Sequence, residues 1–122
     1  ISRIDREIDI NGDPFMLQIV FSNLIDNANK YSNKDQEIEI SATHKAGLPV
    51  VEISDRGNGI SVSEREKVFQ KFYRVGNEAT RQAKGTGLGL YLVKKLLNVH
   101  QAAIHIEANQ PHGTIFVVQF KK

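Results

Sequence analysis

KGTGLGLYLV, residues 84–93, sets Gly85, Gly87 and Gly89 at the threshold of an apolar run. A glycine inside a helix costs about 1 kcal/mol relative to alanine, so three in alternation need a local reason. A helix start carries unpaired N–H groups and a partial positive charge. Glycines there let the backbone approach an anion without a Cβ in the way. The spacing is not GxxxxGK[ST], and no strand leads into it as a GxGxxG dinucleotide fingerprint requires. A flexible joint is the other reading of the same glycines.

Working outward, the apolar run predicts a helix from about Leu88 to Val99 with Leu88, Leu92, Leu96 and Val99 aligned. Residues 74–87 are polar and aperiodic and read as a mobile loop. Before them, Ser63 is placed to cap a short helix, EREKVFQKFY. Its Phe69 and Phe72 read first as core aromatics. VVEISD, residues 50–55, alternates so that Val51, Ile53 and Asp55 share a side. If the valine and isoleucine face the core, so does the carboxylate, and a buried carboxylate needs a donor. Gly57 and Gly59 follow at once, allowing a turn close to a bound group. Asp55 is therefore a candidate acceptor for a ligand amino group such as the adenine N6, or simply the start of a turn.

EIEISAT, residues 37–43, pairs with VVEISD as an antiparallel hairpin across KAGLP. Asp13 and Pro14 are a cap and first residue for a helix from about Pro14 to Tyr31. Its apolar stripe is Leu17, Val20, Phe21, Leu24, Ala28 and Tyr31. Residues 3–10 suggest a short edge strand through Ile8 and Ile10. AIHIEA and TIFVVQF are two closing strands joined by a turn at NQPHG. The order β-α-β-β-(α)-loop-α-β-β predicts an α/β (α+β) two-layer sandwich, a mixed, mostly antiparallel sheet of about five strands covered on one face by helices.

Beside the first helix's apolar stripe, Asn23, Asn27 and Lys30 fall at i, i+4 and i+7. An amide oxygen can ligate Mg²⁺, and lysine supplies a point charge for phosphate. A plain solvated face is the other reading. The 122 residues are 40% hydrophobic and 25% charged, with net charge +2 and no cysteine. They suit one soluble domain without disulfides, give no bulk charge argument for nucleic acid, and contain no apolar run of the roughly 20 residues needed to span a bilayer. The chain opens with Ile1, which suggests a piece of a longer protein.

These features interlock as one nucleotide site, and in this order they resemble the ATP-binding catalytic domain of sensor histidine kinases, within the superfamily shared with gyrase, Hsp90 and MutL (the Bergerat fold). NLIDNANKYS (23–32) is similar to the family's N box, DRGNGI (55–60) to its first glycine box, FQKFYR (69–74) to its phenylalanine box, and GTGLGL (85–90) to its second glycine box. HGTIFVV (112–118) resembles the closing Gly-Thr strand. The resemblance implies Mg²⁺ on Asn27 assisted by Asn23, phosphate on Lys30, adenine against Tyr31, and the adenine amino group on Asp55. Gly57, Gly59, Ile60 and Thr114 would shape that pocket. Arg74 would approach the γ-phosphate. Residues 75–84 would form an ATP lid, with Gly85, Thr86, Gly87, Leu88 and Gly89 at its far hinge. One of Phe69 and Phe72 would help dock partner helices.

The hydrolysing branch carries glutamate where Asn23 stands, and an amide is no general base. The resemblance therefore implies a protein-histidine kinase: γ-phosphate transfer to a histidine on a preceding dimerisation domain absent here, with a response-regulator receiver domain downstream. His44, His100, His105 and His112 lack the family's acceptor context, so residues 1–122 are expected to bind Mg·ATP as a single, monomeric domain without phosphorylating themselves. No nucleic-acid or direct membrane contact is expected, and a cytoplasmic location is, whether or not the parent is membrane-anchored. Competing readings are an ATP-gated switch of the gyrase and Hsp90 kind, disfavoured by Asn23, and a degenerate nucleotide sensor, disfavoured by intact Asn27, Asp55 and glycine boxes. A serine-kinase branch acting on anti-anti-sigma proteins is disfavoured by the phenylalanine box. Two departures from the family pattern stand out: Lys84 where a glycine is frequent, and HQA (100–102) where an HGG-like turn is frequent.

Overall fold

The computed structural model describes residues 2–4, 10, 12–31, 37–73 and 88–121, with side chains described at all of these but 2–4 and 31. The expected lid and Arg74, Gly85, Thr86 and Gly87 lie outside the described residues.

Helix α1 runs Pro14–Tyr31. Asp13 caps it as its composition suggests: Oδ1 accepts the N–H groups of Phe15 at 2.8 Å and Met16 at 3.0 Å. Val20, Leu24 and Ala28 form the fully buried stripe, with Leu17 and Phe21 half-buried beside it. The strands are β1 Ser2–Ile4, β2 Glu39–Lys45, β3 Leu48–Asp55, β4 Ala103–Ala108 and β5 Thr114–Gln119. They form one sheet in the order β1-β2-β3-β5-β4. Only the β1–β2 pairing is parallel, so the sheet is mixed and mostly antiparallel, as expected. The edge strand expected over residues 3–10 is observed at Ser2–Ile4; residues 5–9 lie outside the described residues, and Ile10 packs half-buried against the core.

Helix α2 runs Gly89–Val99. Its inward residues are Val93 and Leu97, with Leu90 and Leu96 packed beside them. The aligned leucine stripe is therefore not the core face, because Leu92 is 40% and Val99 67% exposed. The reason lies in α1. An added Cβ at Gly89 would stand 3.0 Å from Asn23 Oδ1, and His100 Nε2 accepts the Asp13 N–H at 3.0 Å. Gly89, Val93, Leu97 and His100 recur at helical spacing, so anchoring both ends on α1 fixes the phase. The helices are thus antiparallel: α2's eleven residues, about 16 Å long, match the span from Asp13 to Asn23.

The expected helix at residues 64–73 is instead two 3₁₀ turns, Val62–Glu64 and Lys67–Phe69. Burial falls on the adjacent residues Val68 and Phe69, the latter edge-on to Phe116 at 6.5 Å. The tighter 3₁₀ backbone brings both side chains onto the core beneath the sheet's Phe116. Phe72, at φ 65°, is 62% exposed, so of the two phenylalanines only Phe69 is core.

α2 ends in a paired-bond cap: Gln101 N–H donates to Asn98 O at 3.0 Å and Ala102 N–H to Leu97 O at 2.9 Å. That cap requires a left-handed residue, and Gln101 adopts φ 56° where glycine is usual. Gln101→Gly is expected to raise stability by roughly 0.5–1 kcal/mol, the left-handed cost less the added chain entropy. Urea denaturation checks this; an unchanged or lower midpoint contradicts it.

Candidate functional site

Asp55 ends β3 with 2% of its surface exposed, on the side of Val51 and Ile53 that the alternation predicts. Its carboxylate accepts the Gly57 N–H at 2.8 Å and a backbone N–H from Thr114. Thr114 is its register partner on β5 and is itself buried. Burial raises the Asp55 pKa from its ordinary value, and the backbone donors only partly offset this.

The turn after Asp55 is built of close backbone approaches. Gly113, at φ 116°, lies so near the Asp55 carbonyl and Arg56 Cα that any side chain there would collide. Gly59, at φ 79°, faces the Gly113 carbonyl, 3.1 Å from where a Cβ would stand. Gly57 is buried, and Ile60 packs half-buried on the core. The sequence assigned no part in this to Asn109, His112 or Arg56. Yet Asn109 Nδ2 donates to Asp55 O at 2.8 Å, His112 Nδ1 donates to Gly57 O at 3.1 Å, and Arg56 Nη1 donates to Gln110 O at 2.7 Å. Only the asparagine and histidine of an NQPHG turn hint at it, and a turn sequence alone does not reveal which loop it touches.

On the helices, Asn23 and Asn27 are half-buried at the border of α1's buried stripe, and Lys30 is exposed in the last turn. Asn23 Nδ2 donates back to Ile19 O at 2.9 Å, which turns its Oδ1 toward Gly89 and the start of α2. No side chain caps that start, where Leu88 stands at the N-cap. Asn27 and Lys30 follow one and two turns further along α1. Of the sequence candidates, the structure brings together Asn23 with Gly89, and Asp55 with Gly57, Gly59 and Thr114. Helix α1 packs on both β3 and α2, which ties the two groups into one frame. Among the described residues no cluster of His, Cys, Asp or Glu could hold a metal, and no helix is long and apolar enough to cross a membrane.

Residues 12–122 match the family of histidine kinase-, DNA gyrase B- and HSP90-like ATPases, and the chain belongs to that family. It is 41% identical over 120 residues to the sensor protein CiaH of Streptococcus pneumoniae, covering 97% of this chain and 26% of that protein. The chain thus spans about a quarter of the length of that curated relative. Among solved structures, the mycobacterial sensor histidine kinase MprB superposes with TM-score 0.83 at 28% identity, covering 98% of this chain and 78% of that one. The catalytic domain of histidine kinase ThkA gives TM-score 0.82 at 25% identity, covering 99% of this chain and 76% of that one. The fold is that of histidine kinase catalytic domains.

The raised Asp55 pKa has a definite sign. The folded state holds that proton more tightly than the unfolded chain, so stability falls as pH rises from the ordinary carboxylate value of about 4 up through the raised folded-state pKa. Asp55→Asn removes the ionisable group and with it this pH dependence. The stability of the variant relative to the parent is expected to increase with pH over that window and then level off. Urea midpoints at a series of pH values test this, and a gap that stays constant or moves the other way contradicts it.

Proposed function

We propose that this domain binds ATP with Mg²⁺ and donates the γ-phosphate to a histidine on a separate dimerisation domain of the same parent protein. The observation that carries the nucleotide reading is Asp55: a buried carboxylate, fixed by backbone donors, at the strand end where a purine amino group can meet it. Thr114, Gly57, Gly59 and Ile60 line this end, with Tyr31 against the ring. The glycine-opened start of α2, with Leu88 and Gly89, faces the phosphates together with Gly85, Thr86 and Gly87. Asn27, assisted by Asn23, holds Mg²⁺, which neutralises phosphate charge. The donor set fits, because Mg²⁺ is commonly held by a few oxygen ligands plus the phosphates rather than by a dedicated carboxylate cage. Lys30 and Arg74 contribute positive charge.

Transfer rather than hydrolysis is supported by Asn23. Its amide is engaged with the Ile19 carbonyl and has no basic group to activate water. Catalysis then rests on positioning and charge stabilisation. The acceptor lies outside residues 1–122, and a response-regulator receiver domain would take the phosphate onward. We place the domain in the cytoplasm.

Calorimetric titration with a non-hydrolysable ATP analogue tests this. Binding is expected to strengthen with Mg²⁺ and to exceed GTP binding at least tenfold. Asn27→Asp is expected to change chiefly the Mg²⁺-dependent part, and Asp55→Asn to abolish the adenine preference. GTP binding as tight as ATP binding defeats the Asp55 assignment. With labelled ATP, the isolated chain is expected to incorporate no phosphate, and a histidine-bearing dimerisation domain supplied in trans to accept it; label on the chain itself contradicts the missing-acceptor reading.

A further inference from the structure

We infer that the β4–β5 turn, through Asn109 and His112, is the positioning element that sets base selectivity at Asp55. The inference rests on the proposed reading of Asp55 as the purine acceptor and extends it to a turn whose bonds to residues 55 and 57 span 54 and 55 positions of sequence. Three hydrogen bonds join the turn to residues 55–57. Asn109 holds the carbonyl of Asp55, His112 holds the carbonyl of Gly57, and Arg56 reaches back to the carbonyl of Gln110.

Each bond acts on backbone that orients the carboxylate. Asp55 Oδ1 takes its hydrogen bond from the Gly57 N–H, so displacement of residue 57 moves the donor that fixes the carboxylate rotamer. His112 restrains that same residue through its carbonyl. Asn109 is in turn fixed on both sides: its Oδ1 accepts the Gln110 N–H at 2.8 Å and its own N–H donates to Gly113 O at 3.1 Å. The turn therefore presents the Nδ2 donor in one orientation. Gly113 seats the turn directly against Asp55 and Arg56, where no side chain intervenes. Neither Asn109 nor His112 touches the carboxylate; both act through main-chain atoms. That predicts an effect on discrimination between purines rather than on phosphate binding, because the helix-borne asparagines and glycines are on other elements.

The test compares ATP with inosine triphosphate, which carries a carbonyl oxygen where adenine has its amino group. Affinities are measured by calorimetry on residues 1–122, for the parent chain and for Asn109→Ala, His112→Ala and Asp55→Asn. The parent prefers ATP. Asn109→Ala is expected to lose roughly tenfold in ATP affinity, the worth of about one hydrogen bond, with inosine triphosphate affinity unchanged. His112→Ala, at an exposed residue that leaves the hairpin's own bonds intact, is expected to act in the same direction and covers the case in which the asparagine variant does not fold. Asp55→Asn is expected to erase the preference. If Asp55→Asn erases it while both turn variants keep the parent's ratio, the positioning role is wrong and the Asp55 reading stands. If the turn variants lower both affinities equally, the turn is merely structural and the inference is overturned. If Asp55→Asn leaves the ratio intact, the reading beneath the inference fails as well.

Discussion

A carboxylate sealed at the end of a strand is the constraint around which this domain is arranged. An unpaired buried charge is strongly unfavourable, so Asp55 dictates its surroundings. It requires the backbone to fold back and offer the Gly57 N–H, and it requires β5 to lie alongside with Thr114 in register. Those two demands force the tight approach of Gly113 and Gly59, since side chains there would push the donors away. The strand order of the sheet, with β5 inserted between β3 and β4, is what delivers Thr114 to that place.

The second half of the candidate site depends on a pair of antiparallel helices. Helix α1 contributes amides from its flank while burying Val20, Leu24 and Ala28, and α2 contributes an uncapped start. Gly89 lets that start sit against Asn23, and the Asn23 back-bond to Ile19 decides which atom of the amide faces it. Under the proposed function these two halves divide the ligand between them, the strand end taking the base and the helix pair the phosphates.

Much of this was legible in the residues. Alternation in VVEISD put Asp55 inside, and Asp13-Pro14 marked the start of α1; both hold atom by atom. The short-range patterns sufficed because a strand's period and a helix cap are decided within a few residues. The phase of α2 was not legible, because Leu88, Leu92, Leu96 and Val99 form as good a stripe as the one used, and contacts with α1 made the choice. The 3₁₀ turns were missed for a related reason: Phe116, from a distant strand, calls Phe69 inward beside Val68. The hold of Asn109 and His112 on the Asp55 loop could not be read at all, since a turn does not encode its neighbour across 54 residues.

His100 joins the end of α2 to the start of α1. Its ring donates from Nδ1 to Leu96 O at 2.8 Å and receives the Asp13 N–H on Nε2, while filling the space above Gly12. The distal tip of α2 is thereby riveted to the root of α1, while at its opposite tip Gly89 sits against Asn23 and Leu90 packs on the core. With Val93 and Leu97 fully buried between its ends, α2 is clamped along its whole length, so the histidine at the far end helps fix where the glycine start stands against Asn23.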